Sequence, residues 1–223
     1  MAWHYIDTAS QSAFGSPLAQ NSNQNQIDNA TEIWNYFRTR NYSEQATAAL
    51  IGNAQHESYL NPAQWQNSVG ATTGAYGLWQ WDPTTRYTQI YCGHFGYDRT
   101  SGYYQCEWVD TQTIGGLEGN QWIGVVNPTS WETFKASTDT PATLAYAFCR
   151  NWERGEWVER RATNATYWYN YFTGTPPEPP TPPTGDSSVW FAVFHAVAKR
   201  RNSGLVLQKG LFNINEYAYT IQR

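Results

Sequence analysis

Charged residues and long apolar runs are both scarce in this sequence. Only 14% of its 223 residues are Asp, Glu, Lys or Arg, and the formal net charge is −4. Such a chain lacks the basic surface through which proteins capture nucleic acid, so we expect no nucleic-acid partner. No apolar run approaches the about 20 residues that a membrane-spanning helix needs, so we expect no membrane insertion.

Cysteine is also rare. The chain has three, Cys92, Cys106 and Cys149, and an odd number argues against a complete disulfide framework. Cys92 and Cys106 flank a Gly- and Tyr-rich loop that a bridge would close if the protein works outside the cell; two free thiols are the alternative. Cys92, His94 and Cys106 lack a convincing fourth ligand for zinc, so we expect neither a metal site nor a cofactor.

Two neighbouring motifs carry the chemical information. Residues 56–62 read HESYLNP, and residues 74–81 read GAYGLWQW. The first motif places a single carboxylic acid, Glu57, near the end of a predicted helix. Ser43 is the expected N-cap of that helix, and the Asn61-Pro62 pair is expected to end it, because a residue before proline is pushed out of the α region. A helix C-terminus and burial beside aromatic rings would both favour the protonated form of Glu57, as a general acid requires.

The second motif combines glycines with bulky rings. Glycine lets backbone segments approach closely, and aromatic rings stack on the flat apolar faces of sugars, so this turn suits a sugar-lined cleft. The chain is 17% aromatic with 12 tryptophans, and packing must account for most of them. We expect sugar contacts from Tyr76, Trp79 and Trp81 first.

The sequence from about 26 to 172 resembles the phage tail lysozyme family of the lysozyme-like superfamily. The resemblance rests on QIDNATEIWNYFRTRNYSEQATAALIGNAQHES at 26–58, LNP at 60–62, GAYGLWQW at 74–81 and AFCRNWERG at 147–155. The order ES, NP, GLxQ is also similar to lytic transglycosylases. The resemblance implies a mainly helical α+β lysozyme fold, cleavage of the β-1,4 glycan of peptidoglycan, and Glu57 as the catalytic acid.

Further site residues follow from the same resemblance. It implies that Tyr76 and Gln80 lie in the cleft near the acid. Apart from the resemblance, Ser58 is a candidate to hydrogen-bond Glu57 or the sugar, because it follows Glu57 in sequence. Family members often have proline after the second ER motif, whereas this chain has Gly155, which leaves the role of Glu153 open.

A second carboxylate is missing near the first. Hydrolytic lysozymes usually use a pair of acids, yet no Asp or Glu occurs between Glu57 and Asp82. One explanation is a distant acid that folds back into the cleft, with Asp82 and Glu153 as the main candidates and Glu107 and Asp110 behind them. The other is that Glu57 works alone, as in lytic transglycosylases, where the sugar's own 6-hydroxyl attacks.

The chain divides into four parts by composition. We expect an N-terminal arm at 1–25, a lysozyme-like catalytic domain at 26–172 and a Pro-rich linker at 173–188. Residues 189–223 read as a small β-rich module for oligomerisation or cell-wall binding, because so short a piece rarely buries a sufficient core alone. The predicted fold class is therefore α+β, a mainly helical lysozyme-like domain followed by a small β-rich C-terminal module.

Within the catalytic domain, helices are predicted at 27–39, from Ser43 to about Glu57, at 129–150 with a break at Pro141, and at 156–172. Residues 63–81 are predicted as an irregular or β-like lobe, whereas 82–127 are Gly- and Tyr-rich and give no clear pattern.

The sequence thus predicts a phage peptidoglycan hydrolase, with a lytic transglycosylase or a non-catalytic tail or wall-binding protein as alternatives. Its partner is peptidoglycan, with a possible homo-oligomer through residues 189–223. Residues 1–20 lack the basic start and apolar core of a signal peptide. We therefore expect the protein in the host cytoplasm until a holin releases it to the wall, or in the virion tail.

Overall fold

A computed structural model describes residues 3–15, 22–112, 121–157 and 159–174. All of them lie in the first of the two units into which the chain separates, Met1–Pro177. The predicted β-rich module at 189–223, and all but the first two residues of the predicted linker, lie outside the described residues. The described part is mainly helical, as the sequence predicts.

The first two long helices follow their local capping signals. Helix α1 spans Gln24–Arg38 and begins earlier than predicted, because Asn23 and Gln26 form a reciprocal capping box that the apolar pattern does not reveal. Helix α2 spans Glu44–Ser58, and the Ser43 side chain accepts a hydrogen bond from the Ala46 backbone N–H, which confirms the predicted cap.

Helix α2 ends slightly before the predicted proline stop. Tyr59 adopts the left-handed conformation with φ of 55°, and its N–H bonds back to the Gln55 carbonyl at 3.2 Å. This C-cap, rather than Pro62, terminates the helix. Glu57 consequently lies in the last turn of α2, within the region that the sequence predicts for it.

Helices occupy most of the described residues in the stretch 82–127, which the sequence leaves unassigned. A π-helical segment, Arg86–Tyr91, continues into helix α3 at Cys92–Phe95, and helix α4 spans Gly102–Gln112. Tyrosines on these segments are buried against tryptophans; the Tyr91 and Trp108 ring centroids, for example, are 4.6 Å apart. Tertiary packing of rings therefore overrides the weak local helix signal of this segment.

The last helices confirm the predicted break at proline. Helix α5 spans Trp131–Ala136, and helix α6 spans Pro141–Phe148, with Thr140 as its N-cap and Pro141 in its first turn. Helix α6 continues into a π-helical turn, Cys149–Glu153, and helix α7 spans Glu159–Thr173.

Helix α2 lies at the centre of the domain and packs against α1, α5, α6 and α7. Its residues from Ala46 to Gln55 are all buried. The approach of α2 to α7 is very close, because a Cβ at Gly52 would lie 2.5 Å from the backbone nitrogen of Ala165. This contact fixes the end of α2, and with it Glu57, relative to α7.

The predicted lobe at 63–81 is irregular, with isolated β-bridges that join Trp65 to Tyr76 and Tyr76 to Trp81. Gly77 has φ of 87°, and a Cβ there would lie 2.7 Å from Gln105 Oε1. Because glycine has no Cβ, the Gln105 side chain can approach and accept a hydrogen bond from the Leu78 N–H. The lobe is therefore held against α4 by buried polar contacts.

The cysteines adopt the unbridged alternative. Cys92, Cys106 and Cys149 are free and buried. Burial raises the pKa of the Cys92 thiol to about 11, and it raises the pKa of Cys106 well above its ordinary value. The thiols are accordingly protonated and inert at neutral pH. Among the residues that the structure describes, none of the helices is both long enough and apolar enough to cross a bilayer.

Candidate active site around Glu57

Glu57 belongs to a group of hydrogen-bonded side chains from α2, α7 and the π-helical turn Cys149–Glu153, and it lies on the solvent side of that group. The Arg161 guanidinium on α7 donates from Nη2 to Glu57 Oε1 and, at 2.6 Å, from Nη1 to Glu153 Oε2. The same Nη1 donates to Asn53 Oδ1 on α2 at 2.9 Å. One guanidinium therefore bridges two carboxylates, and Asn53 orients it from the helix that carries Glu57.

These groups differ sharply in access to solvent. The Glu57 side chain is 21% exposed, whereas those of Arg161 and Glu153 are 3% and 5% exposed. A ligand at the surface can consequently reach Glu57, while Arg161 and Glu153 lie behind it. Glu153 pairs with Arg161 on α7 and not with Arg154, its neighbour in sequence.

The buried carboxyl holds its proton more tightly than an exposed one would. Burial raises the pKa of Glu153 to about 8; the charge of Arg161 opposes this effect and the negative charge of Glu57 adds to it. The Glu153 proton is therefore part of the charge balance around Glu57.

His56 precedes the acid but is not arranged as a base for it. Burial lowers its pKa to about 4, and the positive charges of Arg161 and Arg160 lower it further. The imidazole is neutral at neutral pH, which suits a packing role.

Ser58 and Gln80 contribute to the local framework. The Ser58 hydroxyl lies 3.0 Å from the carbonyl oxygens of both Ala54 and Leu78, so it connects the end of α2 to the GLWQ turn. Gln80 donates from Nε2 to the carbonyls of Gln64, at 3.2 Å, and Gly77, at 2.8 Å. Of these two side chains, Gln80 is partly accessible and Ser58 is buried.

The three rings expected to touch sugar lie in the core. Tyr76, Trp79 and Trp81 are 0%, 2% and 6% exposed. The Tyr76 hydroxyl accepts a bond from Arg99 Nη1 at 2.9 Å, and Trp79 Nε1 donates to the Leu50 carbonyl at 3.1 Å. The structure thus places these rings where packing requires them, which was the competing explanation for the aromatic content.

The other candidate acids are distributed elsewhere. Asp82 is exposed in the turn that precedes Pro83. Glu107 accepts a bond from the Tyr91 hydroxyl at 2.8 Å, and Asp110 accepts one from the Tyr42 hydroxyl. Of the acids proposed as a second carboxylate, Glu153 is the one that the structure links to Glu57 through a shared partner.

A pocket of about 520 Å³ opens beside the end of α2. Tyr59 and Gln80 line it from the domain, and Gln11 lines it from the N-terminal arm. Gln11 Nε2 also donates to the backbone carbonyl of Glu57 at 2.9 Å. The pocket is therefore contiguous with the chain segment that carries the acid. Within the described ranges, no group of three or more His, Cys, Asp or Glu side chains is placed to hold a metal ion.

Arg161 is the residue of this candidate site that the sequence analysis missed. Its signal is present in α7, where Arg161, Asn164, Ala165 and Trp168 are buried at the i, i+3, i+4, i+7 spacing of one helix face. A basic residue on an otherwise buried face requires an acidic partner, and Glu57 and Glu153 supply it.

Comparison with known proteins identifies the family of this domain. A sequence model of the family described as phage tail lysozyme matches residues 28–172, which include α2, the GLWQ turn and all of α7 except Thr173. Morphogenesis protein 1 of Bacillus phage B103 is 33% identical over 153 residues, which cover 66% of this chain and 40% of that protein. The chain thus spans about two fifths of the length of this curated relative. With well over half of its residues inside the family match, the chain belongs to the phage tail lysozyme family.

Proposed function

We propose that this protein is a glycosidase that cleaves the β-1,4 glycan of bacterial peptidoglycan, with Glu57 as the general acid. The observation that carries the proposal is the position of Glu57 in a phage tail lysozyme domain. Its carboxylate is accessible to solvent, whereas its partner Arg161 is buried. In this mechanism Glu57 donates a proton to the glycosidic oxygen as the bond breaks.

Arg161 and Glu153 are assigned a positioning role. Both are buried, so neither is placed to attack a sugar at the surface. Arg161 fixes the Glu57 carboxylate and compensates the negative charge that remains after proton donation. Glu153 holds the guanidinium in place from the other side. Gln80 is the remaining sequence-predicted substrate contact that we retain, because it is partly accessible and lines the pocket.

A lytic transglycosylase is the second candidate, and one observation favours it. Glu153, the acid that Arg161 links to Glu57, is buried. It therefore does not supply a surface carboxylate to activate water. A single accessible acid suffices when the sugar's own 6-hydroxyl attacks. Resemblance over the whole domain to phage lysozymes favours hydrolysis instead.

The test is the lysis of a purified peptidoglycan suspension, measured as the loss of its turbidity. We expect the wild-type protein to clear it and Glu57→Gln to lose about 10²- to 10⁴-fold in rate while it still sediments with the wall material. Glu44→Gln is the matched control, because Glu44 lies in the first turn of the same helix and its carboxylate is 3.8 Å from Arg38. Unchanged lysis by Glu57→Gln would refute the assignment.

Mass analysis of the released fragments separates the reaction types. Ordinary reducing ends identify hydrolysis, and the sugar that carries them separates a muramidase from a glucosaminidase. Anhydro sugars identify transglycosylation. Wild-type protein that binds walls but releases no fragments would instead identify a non-catalytic wall-binding protein.

We propose that the protein is a component of the phage particle. The family description refers to phage tails, and the relative from Bacillus phage B103 is named a morphogenesis protein. Detection of the chain by mass spectrometry in purified particles would support this location, and its presence only in lysates would favour a released endolysin.

A further inference from the structure

Glu153 is presented by an irregular element and not by a regular helix. It is the last residue of the π-helical turn Cys149–Glu153, and the next residue, Arg154, adopts the left-handed conformation with φ of 57°. π-Helical turns are rare and occur frequently at functional sites. Because a single turn of this kind has little stability of its own, contacts with neighbouring elements must fix the direction of the Glu153 side chain.

Asn151 attaches this turn to the segment that precedes α5. Its Nδ2 donates to the carbonyls of Val126, at 2.9 Å, and Pro128, at 3.1 Å. Its Oδ1 accepts a hydrogen bond from the Val126 N–H at 3.0 Å, and the side chain is completely buried. The middle of the π-helical turn is therefore held by polar contacts.

Trp152 attaches the same turn to the GLWQ turn. Its ring is 5% exposed and stacks on Phe148 of α6, with centroids 5.1 Å apart and an interplanar angle of 13°. It also meets the Trp81 ring edge-on, with centroids 6.0 Å apart and an angle of 79°. Since Trp152 directly precedes Glu153, the contact with Trp81 acts on the backbone that carries the buried acid.

Trp81 in turn fixes the end of the GLWQ turn. Its N–H donates to the Tyr76 carbonyl at 2.9 Å, and its carbonyl accepts from the Tyr76 N–H at 3.1 Å. Its ring stacks on Tyr87 of the π-helical segment, with centroids 4.8 Å apart and an angle of 17°. The partly accessible Gln80 directly precedes it. The GLWQ turn and the π-helical turn therefore meet at one pair of rings, Trp81 and Trp152.

Ring packing, and not a hydrogen bond, joins Trp81 to Trp152. The indole N–H groups of both residues are buried, and neither has a hydrogen-bond partner among the described residues. Replacement of either ring by phenylalanine consequently reduces the contact without leaving a carbonyl unpaired. Phenylalanine variants therefore test the ring contact itself.

We propose that Trp81 and Trp152 are positioning residues of the active site. Their contact holds the GLWQ turn against the π-helical turn, so that Glu153 meets Arg161 and Arg161 holds Glu57. The proposal rests on the proposed glycosidase function. It adds two buried rings, one of which the sequence predicts to touch sugar, to the group that holds the acid.

Initial lysis rates over a range of peptidoglycan concentrations test this role, at a temperature at which circular dichroism shows each variant to be folded. We expect Trp81→Phe and Trp152→Phe each to lower kcat about three- to tenfold, because small displacements of catalytic groups slow the reaction. The apparent KM should stay within about twofold of the wild-type value, because neither ring touches the substrate. A role in stability alone would leave kcat of the folded protein unchanged.

Trp131→Phe is the matched control. Trp131 is 3% exposed and stacks on Phe134 with centroids 5.0 Å apart, so the substitution removes the same atoms from a similarly buried ring of α5. It should lower the melting temperature and leave kcat at the wild-type value. Wild-type kcat in both Trp81→Phe and Trp152→Phe, or an equal loss in Trp131→Phe, would overturn the proposal.

A double substitution tests whether the ring contact acts through Glu153. In the Glu153→Ala background, Trp152→Phe should change kcat by less than about twofold, because the side chain that Trp152 positions is absent. Losses that multiply in the double variant would mean that Trp152 affects the rate by another route, and the assigned role would be wrong.

These outcomes are separable from those for Glu57. Lysis lost in Glu57→Gln, together with wild-type kcat in the phenylalanine variants, would reject the positioning role and retain the acid. Lysis that survives Glu57→Gln would reject the acid, and the positioning of Glu57 with it.

Discussion

Arg161 on α7 forms an ion pair with Glu57 at the end of α2, across 104 residues of sequence. The guanidinium is almost completely buried, whereas the carboxylate reaches the surface. The position of the accessible acid is therefore determined by a buried cation on a different helix. Close packing of Gly52 against Ala165 joins the same two helices and makes this contact possible.

Replacement of Arg161 by methionine should destabilise the protein by about 3–5 kcal/mol, because it leaves Glu57 and Glu153 without their shared cation. Arg161→Lys keeps the charge but cannot bond both carboxylates as a planar fork. We expect Arg161→Lys to recover part of the stability and to lower kcat with little change in KM. Urea denaturation and initial lysis rates measure the two effects.

Arg160→Met is the matched control for this pair, because Arg160 is the exposed neighbour of Arg161 on α7. It should change the free energy of unfolding by less than about 0.5 kcal/mol. If Arg161→Lys lowers kcat no more than Arg160→Met does, Arg161 has no role in positioning the acid.

The folding stability should depend on Glu153 in a defined pH range. Burial raises its pKa from 4.5 to about 8 in the folded protein, so the folded state binds the proton more tightly than the unfolded state. The stabilisation is therefore present below about pH 4.5 and is lost as pH rises through about 8. Glu153→Gln removes this ionisation and should flatten the decrease in stability over that range.

Denaturation midpoints at pH 5, 6, 7 and 8 measure the effect. Glu156→Gln serves as the control, because Glu156 is exposed close to Glu153 in sequence. Its pH profile should follow that of the wild-type protein. A Glu153→Gln profile parallel to the wild type would mean that Glu153 ionises as freely in the folded chain as in the unfolded one.

Gly52→Ala should destabilise the domain by about 1–3 kcal/mol, because the new methyl group would overlap the Ala165 backbone. Gly93→Ala, in α3, meets nothing within 4 Å and should be neutral or slightly stabilising. Thermal unfolding of both variants distinguishes the close helix contact from a general effect of glycine replacement. Equal melting temperatures would show that α2 and α7 can separate without cost.

Trp79→Phe should lower stability and leave sugar binding unchanged. The indole is buried, and its Nε1 bonds the Leu50 carbonyl, so the substitution creates a small cavity and removes that bond. We expect a loss of about 1–3 kcal/mol by urea denaturation. The affinity for tetra-N-acetylchitotetraose, measured where the variant is folded, should match that of the parent; a clear loss would restore Trp79 as a sugar contact.

Local signals predicted most of the helical framework. Ser43 as an N-cap and a helix break at Pro141 act within a few residues of their own position, and both occur as predicted. The same signals placed Glu57 in the last turn of α2. The stretch 82–127 was not assigned, because its helices are stabilised by contacts between distant aromatic rings and not by local propensity.

The sequence by itself determined where α2 begins, where proline divides the helices of 129–150 and which acid lies near the end of α2, since N-capping and proline sterics depend only on neighbouring residues. Tertiary structure decided the rest of the site. It alone joined Glu57 to Arg161, buried the tryptophan of the GLWQ turn and brought the arm beside the acid. Those outcomes depend on which helix faces contact each other. Only the packing of the whole domain determines which charges and aromatic rings are buried at those contacts.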